Sequence, residues 1–129
     1  MSWLRFALVV LGSGFIVSMT DWAAAGDWIH RRWTYREVWR ANESRAIALT
    51  SPLPFVTAAA FAYLAFRLRL HTTTSLLELA AAIWVIGPLP VILTNAAFIK
   101  LHRVFVVCLS VGWLVKLVII ALAVGWIGL

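Results

Sequence analysis

Charged side chains are scarce in this 129-residue chain: 12% of its residues are Asp, Glu, Lys or Arg, whereas 64% are hydrophobic. A water-soluble globular domain typically carries about 25% charged residues, so this composition excludes that class of protein. The single cysteine, Cys108, excludes an intramolecular disulfide and a metal site built from several thiolates. The apolar stretches also lack the alternation of polar and apolar residues that membrane-spanning β-strands require.

Four apolar stretches fill most of the chain, and each is long enough to cross a bilayer as a helix. A crossing needs about 20 residues, because a helix rises about 1.5 Å per residue and the hydrocarbon layer is roughly 30 Å thick. The crossings are predicted at residues 3–25, 46–66, 76–99 and 104–129. The predicted fold is therefore an all-α integral membrane four-helix bundle, with residues 1–129 forming one domain.

Between the first two crossings, residues 28–45 contain no proline or glycine, which favours a helix lying on the membrane surface. At helical spacing the aromatic face of this segment consists of Trp28, Tyr35 and Trp39, and its polar stripe consists of His30, Trp33, Glu37 and Arg40. The aromatic face predicts an anchor in the headgroup layer. The polar stripe fits a solvated surface or a binding site, and the sequence leaves both interpretations open.

Most of the Lys and Arg residues behind the formal net charge of +6 lie in the connections, where they can meet anionic lipid headgroups. Membrane lipids are therefore the expected partners of this charge, and no nucleic-acid-binding module is predicted. The cations of the first and third connections are Arg31, Arg32, Arg36, Arg40, Arg45, Lys100 and Arg103, whereas the opposite side has Arg5, Arg67 and Arg69. Because cytoplasmic loops are enriched in Lys and Arg, this bias predicts that both termini lie outside the cytoplasm.

Two proline motifs mark the middle crossings. Pro88-Leu-Pro90 falls in the middle of the third crossing and predicts a kink, because proline provides no amide hydrogen for the preceding turn. Pro52-Leu-Pro54 in the second crossing is a weakly similar motif. An inverted duplication and coincidence in an alanine-rich chain both explain the similarity.

The four-crossing topology brings several polar side chains to one membrane face, whichever side that face occupies. Asp21, Asn95, Lys100 and His102 share this face with the long first connection, whereas Glu78 lies at the other face. If the protein is an enzyme, the candidate acid and base groups are Asp21, Glu37 and His102. The candidates for binding a polar headgroup are His30, Trp33, Arg40, Asn95 and Lys100. Asp21 fits equally well as an interfacial carboxylate near the end of its helix.

Lys116 lies near the middle of the fourth crossing, where an unpaired ammonium group costs several kcal/mol. It therefore requires a partner, and the sequence offers Asp21, Glu78, the carbonyls freed by Pro88 or a neighbouring subunit. A structural ion pair or an assembly contact is favoured over a reactive lysine. No metal site is predicted, and no cofactor is identified.

Several segments resemble DUF1761, a family of small bacterial membrane proteins of unknown function. These segments are Ser18-Met-Thr-Asp-Trp22, Glu37-Val-Trp-Arg40, Pro88-Leu-Pro90, Leu93-Thr-Asn-Ala-Ala-Phe-Ile-Lys-Leu-His102 and Gly112-Trp-Leu-Val-Lys116. The resemblance implies a four-helix protein of the bacterial inner membrane and supplies no activity.

Three functions fit these observations. The first is a small binding or accessory subunit that packs in the bilayer, as a homo-oligomer or within a larger membrane complex, and holds a lipid or another apolar ligand. The second is a membrane-embedded isomerase, cyclase or hydrolase that acts on a lipid-soluble substrate by acid and base chemistry. The third is a small proton-coupled exporter, which ranks last because Asp21 lies near the end of its helix rather than deep within it.

Overall fold

The computed structural model describes residues 1–25 and 43–129, and the described residues form helices without strands. The helices are α1 (Trp3–Ala25), α2 (Glu43–Thr50), α3 (Leu53–Arg67), α4 (Thr73–Ile86), α5 (Pro88–Phe98) and α6 (Arg103–Ile127). Four spans are long and apolar enough to cross a membrane: Trp3–Ala23, Arg45–Arg67, Thr73–Phe98 and Arg103–Ile127. The predicted all-α four-helix bundle is confirmed, and the four spans fit an integral membrane protein.

The predicted surface helix at residues 28–45 lies almost entirely outside the described residues. Its last three positions, from Glu43 to Arg45, form the first turn of α2. The second crossing therefore consists of α2 followed by α3.

The third crossing is divided at Gly87 into α4 and α5, where the sequence predicts a kink. The Gly87 amide still donates to the Ile83 carbonyl at 2.9 Å, but the backbone then departs from helical geometry at φ −110° and ψ −87°. Pro88 becomes the first residue of α5, a position where its missing amide hydrogen costs little. The second crossing is divided in the same way, because α3 begins directly after Pro52.

Helix α6 is the centre of the bundle, since it packs against α1, α3, α4 and α5. Helix α1 packs against α3 as well, whereas α4 packs against α5 and α6. The core contributed by α3 and α4 is rich in alanine, with the small residues Ala58, Ala62, Ala65 and Ala80 fully buried. Small side chains allow close helix approach, which matters in a bilayer because the hydrophobic effect contributes little between helices there.

A side-chain hydrogen bond joins the third crossing to α6, one turn before the third crossing is divided at Gly87. The Trp84 indole Nε1 donates to the Ser110 carbonyl at 2.9 Å, and Trp84 is only partly exposed. The Ser110 hydroxyl is occupied separately, because it donates to the Val106 carbonyl at 2.9 Å.

We expect Trp84→Phe to lower the free energy of unfolding by about 1 kcal/mol, the typical net contribution of one such hydrogen bond. Thermal unfolding in detergent measures the effect. Trp126→Phe is the matched control, because Trp126 is 90% exposed. Equal decreases in the free energy of unfolding for the two substitutions would show that the Trp84 hydrogen bond does not stabilise the packing of the third crossing against α6.

Candidate functional site

An ion pair between the first and last crossings is the most polar feature inside the described bundle. The Lys116 Nζ atom lies 3.0 Å from Asp21 Oδ1. Lys116 follows the start of α6 by about 20 Å and precedes its end by about 16 Å, taking a rise of 1.5 Å per residue. The residue is only 7% exposed, so its charge lies within the bundle and near the middle of a crossing.

The antiparallel packing of α1 and α6 explains how Asp21 reaches this depth. Near the termini, a Cβ atom built on Gly128 would lie 3.9 Å from a guanidinium nitrogen of Arg5, so the start of α1 is level with the end of α6. Following both helices from that point places Asp21 roughly one turn from Lys116. Side chains on a helix point toward its N-terminus, and the Lys116 side chain therefore leans toward Asp21.

A second interaction holds the Lys116 ammonium group. Its Nζ atom lies 3.8 Å from the centroid of the Trp113 ring, one turn earlier in α6. An ammonium group over an indole face gains about 0.5 to 2 kcal/mol, with the larger values where water is excluded. The Asp21–Lys116–Trp113 cluster thus gives the buried cation an anionic partner and an aromatic one.

The buried stripe of α1 leads directly to this cluster. Val9, Ser13 and Val17 are buried at four-residue spacing, and Asp21 is the next position of the same series. The Ser13 hydroxyl donates to the Val9 carbonyl within the helix, so it is already satisfied. The Asp21 side chain is 37% exposed, and the carboxylate is therefore the accessible end of the ion pair.

The remaining predicted site residues are placed separately. His102 caps the start of α6, where its Nδ1 atom accepts a hydrogen bond from the Val104 amide at 3.1 Å. Asn95 is exposed on α5, which packs on α4 and α6, and Lys100 is exposed in the link between α5 and α6. Glu78 is exposed on α4. Within the described ranges, the structure thus joins Asp21 to Lys116 and shows no hydrogen bond between Asp21 and Asn95 or His102.

Four predicted site residues lie outside the residues that the structure describes: His30, Trp33, Glu37 and Arg40. In the described part of the chain, no group of three or more His, Cys, Asp or Glu side chains could hold a metal ion.

An apolar groove of about 410 Å³ runs between α1 and α6, and sequence reasoning missed it. Its lining consists of Thr20 and Ala23 from α1 and Val107, Cys108, Val111, Gly112 and Val115 from α6. The Thr20 hydroxyl donates to the Val17 carbonyl at 2.8 Å, so the lining offers a ligand mainly apolar surface. Valines at four-residue spacing on α6 are its only signal in the sequence, and such a row is also typical of a helix face in contact with lipid.

Comparisons of the chain with protein-family models, curated proteins and solved structures give no match. The resemblance to DUF1761 therefore stays a prediction.

Proposed function

We propose that this protein is a small integral membrane binding subunit that holds the apolar chain of a lipid or lipid-like ligand in the groove between α1 and α6. In this role it packs in the bilayer against copies of itself or within a larger membrane complex. The observation that carries the proposal is the groove itself.

The size and position of the groove suit an alkyl chain. Its volume of about 410 Å³ falls within the roughly 300–1,000 Å³ that is usual for ligand sites. Between Val107 and Val115 it extends for about 12 Å along α6, taking the helical rise per residue, and it lies wholly inside a crossing. Its apolar lining provides contact area for hydrocarbon and little to bind a polar head.

The contacts of Asp21 and His102, the two candidate acid and base groups that the structure describes, favour binding over proton-transfer chemistry. Asp21 Oδ1 is held by the Lys116 ammonium group, and His102 Nδ1 accepts the amide hydrogen of Val104. Each of these two groups thus has a structural role in the bundle, and no hydrogen bond joins Asp21 to His102 within the described residues.

Filling the groove should displace the bound chain. We expect Val111→Trp to abolish most of the labelling of residues 107–115 by a photoactivatable fatty acid in liposomes, because the indole occupies the space of the alkyl chain. Labelling is mapped by mass spectrometry of the cross-linked peptides. Leu122→Trp is the matched control, since Leu122 is similarly exposed on the same helix but does not line the groove.

Cys108 provides a second measurement, because it is the only cysteine of the chain and lines the groove. A bound fatty acid should slow its alkylation by a small apolar maleimide, and Val111→Trp should remove the dependence on fatty acid. Fatty-acid labelling spread evenly over all exposed helix faces, with no protection of Cys108, would contradict the proposal.

A further inference from the structure

Two exposed helix faces, one on α3 and one on α4, carry complementary groups at matching depths. The outer face of α3 consists of Val56, Ala60, Tyr63 and Arg67, all exposed and spaced by three or four residues. The outer face of α4 consists of Glu78, Ala81, Ala82 and Val85, also exposed at helical spacing.

The two faces match in the order of their residues from one membrane side. Helix α3 ends and α4 begins at the same side, because only residues 68–72 connect them. At 1.5 Å per residue, Tyr63 lies about 6 Å inside the end of α3 and Glu78 about 8 Å inside the start of α4. By the same measure Ala60 and Ala81 lie at about 10–12 Å, and Val56 and Val85 at about 16–18 Å.

The polar groups on these faces are complementary in charge and in hydrogen bonding. The outer face of α3 presents two donors, the Tyr63 hydroxyl and the Arg67 guanidinium group, whereas the outer face of α4 presents the Glu78 carboxylate, which accepts. In the part of the chain that the structure describes, none of these three side chains forms an ion pair or a side-chain hydrogen bond. A carboxylate within a crossing is costly without such a partner.

The faces point away from the centre of their own bundle. Helix α3 buries the opposite side, including Ala58 and Ala62, in contacts with α1 and α6. Helix α4 buries Leu76 and Ala80 toward α6. Each outer face is thus on the side of its helix that remains exposed after the chain has folded.

We infer that copies of this chain assemble through a heterologous contact, in which the outer face of α3 in one copy packs on the outer face of α4 in the next. Tyr63 and Arg67 then pair with Glu78 across the contact, and Ala60 packs against Ala81. This inference specifies the assembly contact of the proposed subunit and does not depend on occupancy of the groove.

Charge disfavours a contact in which either face packs on itself. Such a contact would bring two Glu78 carboxylates or two Arg67 guanidinium groups together in a medium of low dielectric constant. The heterologous contact pairs opposite charges instead. Because the depths match, all copies keep the same orientation in the membrane, and the contact can repeat from one copy to the next.

Cysteine cross-linking between differently tagged copies tests the contact. In a Cys108→Ser background, one copy carries Ala60→Cys and the other carries Ala81→Cys, and both are expressed in the same membrane. We expect a short bifunctional thiol reagent to link the two tags. Two copies of Ala60→Cys, or two copies of Ala81→Cys, should remain unlinked.

Charge substitutions supply the second half of the test. Arg67→Gln and Glu78→Gln should each abolish most of the cross-link, whereas Arg69→Gln at the same membrane side should preserve it. The exchanged pair Arg67→Glu with Glu78→Arg should restore it. Three results would overturn the inference: linkage of Ala81→Cys to itself, no link between the two tags, or a purely monomeric mass in native mass spectrometry. Intact labelling of the groove in the same variants would leave the proposed binding role unaffected.

Discussion

Asp21→Asn is expected to destabilise the protein more than any other change within the Asp21–Lys116–Trp113 cluster. The substitution leaves the Lys116 ammonium group, whose side chain is 9% exposed, without a neighbouring negative charge. Removing one partner of a fully buried pair costs about 3–5 kcal/mol. The Trp113 ring compensates for part of this loss, so we expect a decrease of about 2–4 kcal/mol in the free energy of unfolding.

Lys116→Met should have a smaller effect, because it leaves the charge on the more accessible partner. The Asp21 side chain is 37% exposed, and its carboxylate can reorient toward polar surroundings. We expect a decrease of about 1–2 kcal/mol, between the values for exposed and buried pairs. The double variant Asp21→Asn with Lys116→Met removes both charges and should recover most of the stability that Asp21→Asn loses.

Thermal and denaturant unfolding in detergent measures this order of stability. The unsubstituted protein, the two single variants and the double variant are compared under identical conditions. The double variant is the matched control, because it contains both substitutions and leaves no charge in the cluster. If the double variant were less stable than Asp21→Asn alone, the ion pair would not be the interaction that the two residues provide to the fold.

The need of Lys116 for a partner could be predicted from the sequence, whereas the identity of that partner could not. The cost of an ammonium group inside a crossing depends on its position in one apolar segment, which the sequence displays. The choice of Asp21 over Glu78 depends on the antiparallel register of α1 and α6. That register is set by packing within the buried core, which joins residues far apart in the chain, such as Val9 and Val124, and which no local pattern reveals.

The division of the third crossing was similarly predictable only in part. Pro88 and Pro90 indicate lost hydrogen bonds and hence a bend, but the outcome depends on the residue before them. Gly87 has no side chain and adopts ψ −87°, which ends α4 and allows Pro88 to start α5. The groove between α1 and α6 was beyond prediction, because it depends on the space left between two helices rather than on either helix.

Gly14→Val is expected to separate α1 from α3 and to lower the free energy of unfolding by about 1–3 kcal/mol, the usual cost of overpacking. A Cβ atom on Gly14 would lie 2.5 Å from Cδ1 of Phe55 and 3.1 Å from its Cγ. Because the root of the ring is also close, rotation of the ring does not clear the clash. The two helices must move apart or Phe55 must leave its position.

Gly12→Val is a matched control in the same helix, since a Cβ atom on Gly12 meets nothing within 4 Å. Both substitutions change the intrinsic helix preference equally, so their difference isolates the contact with Phe55. We expect Gly12→Val to alter stability by no more than about 0.5 kcal/mol, as exposed substitutions usually do. Phe55→Ala should reduce the additional cost of Gly14→Val, because it removes the ring that the new side chain meets. Equal unfolding free energies for the two glycine variants would show that α1 and α3 do not approach closely at Gly14.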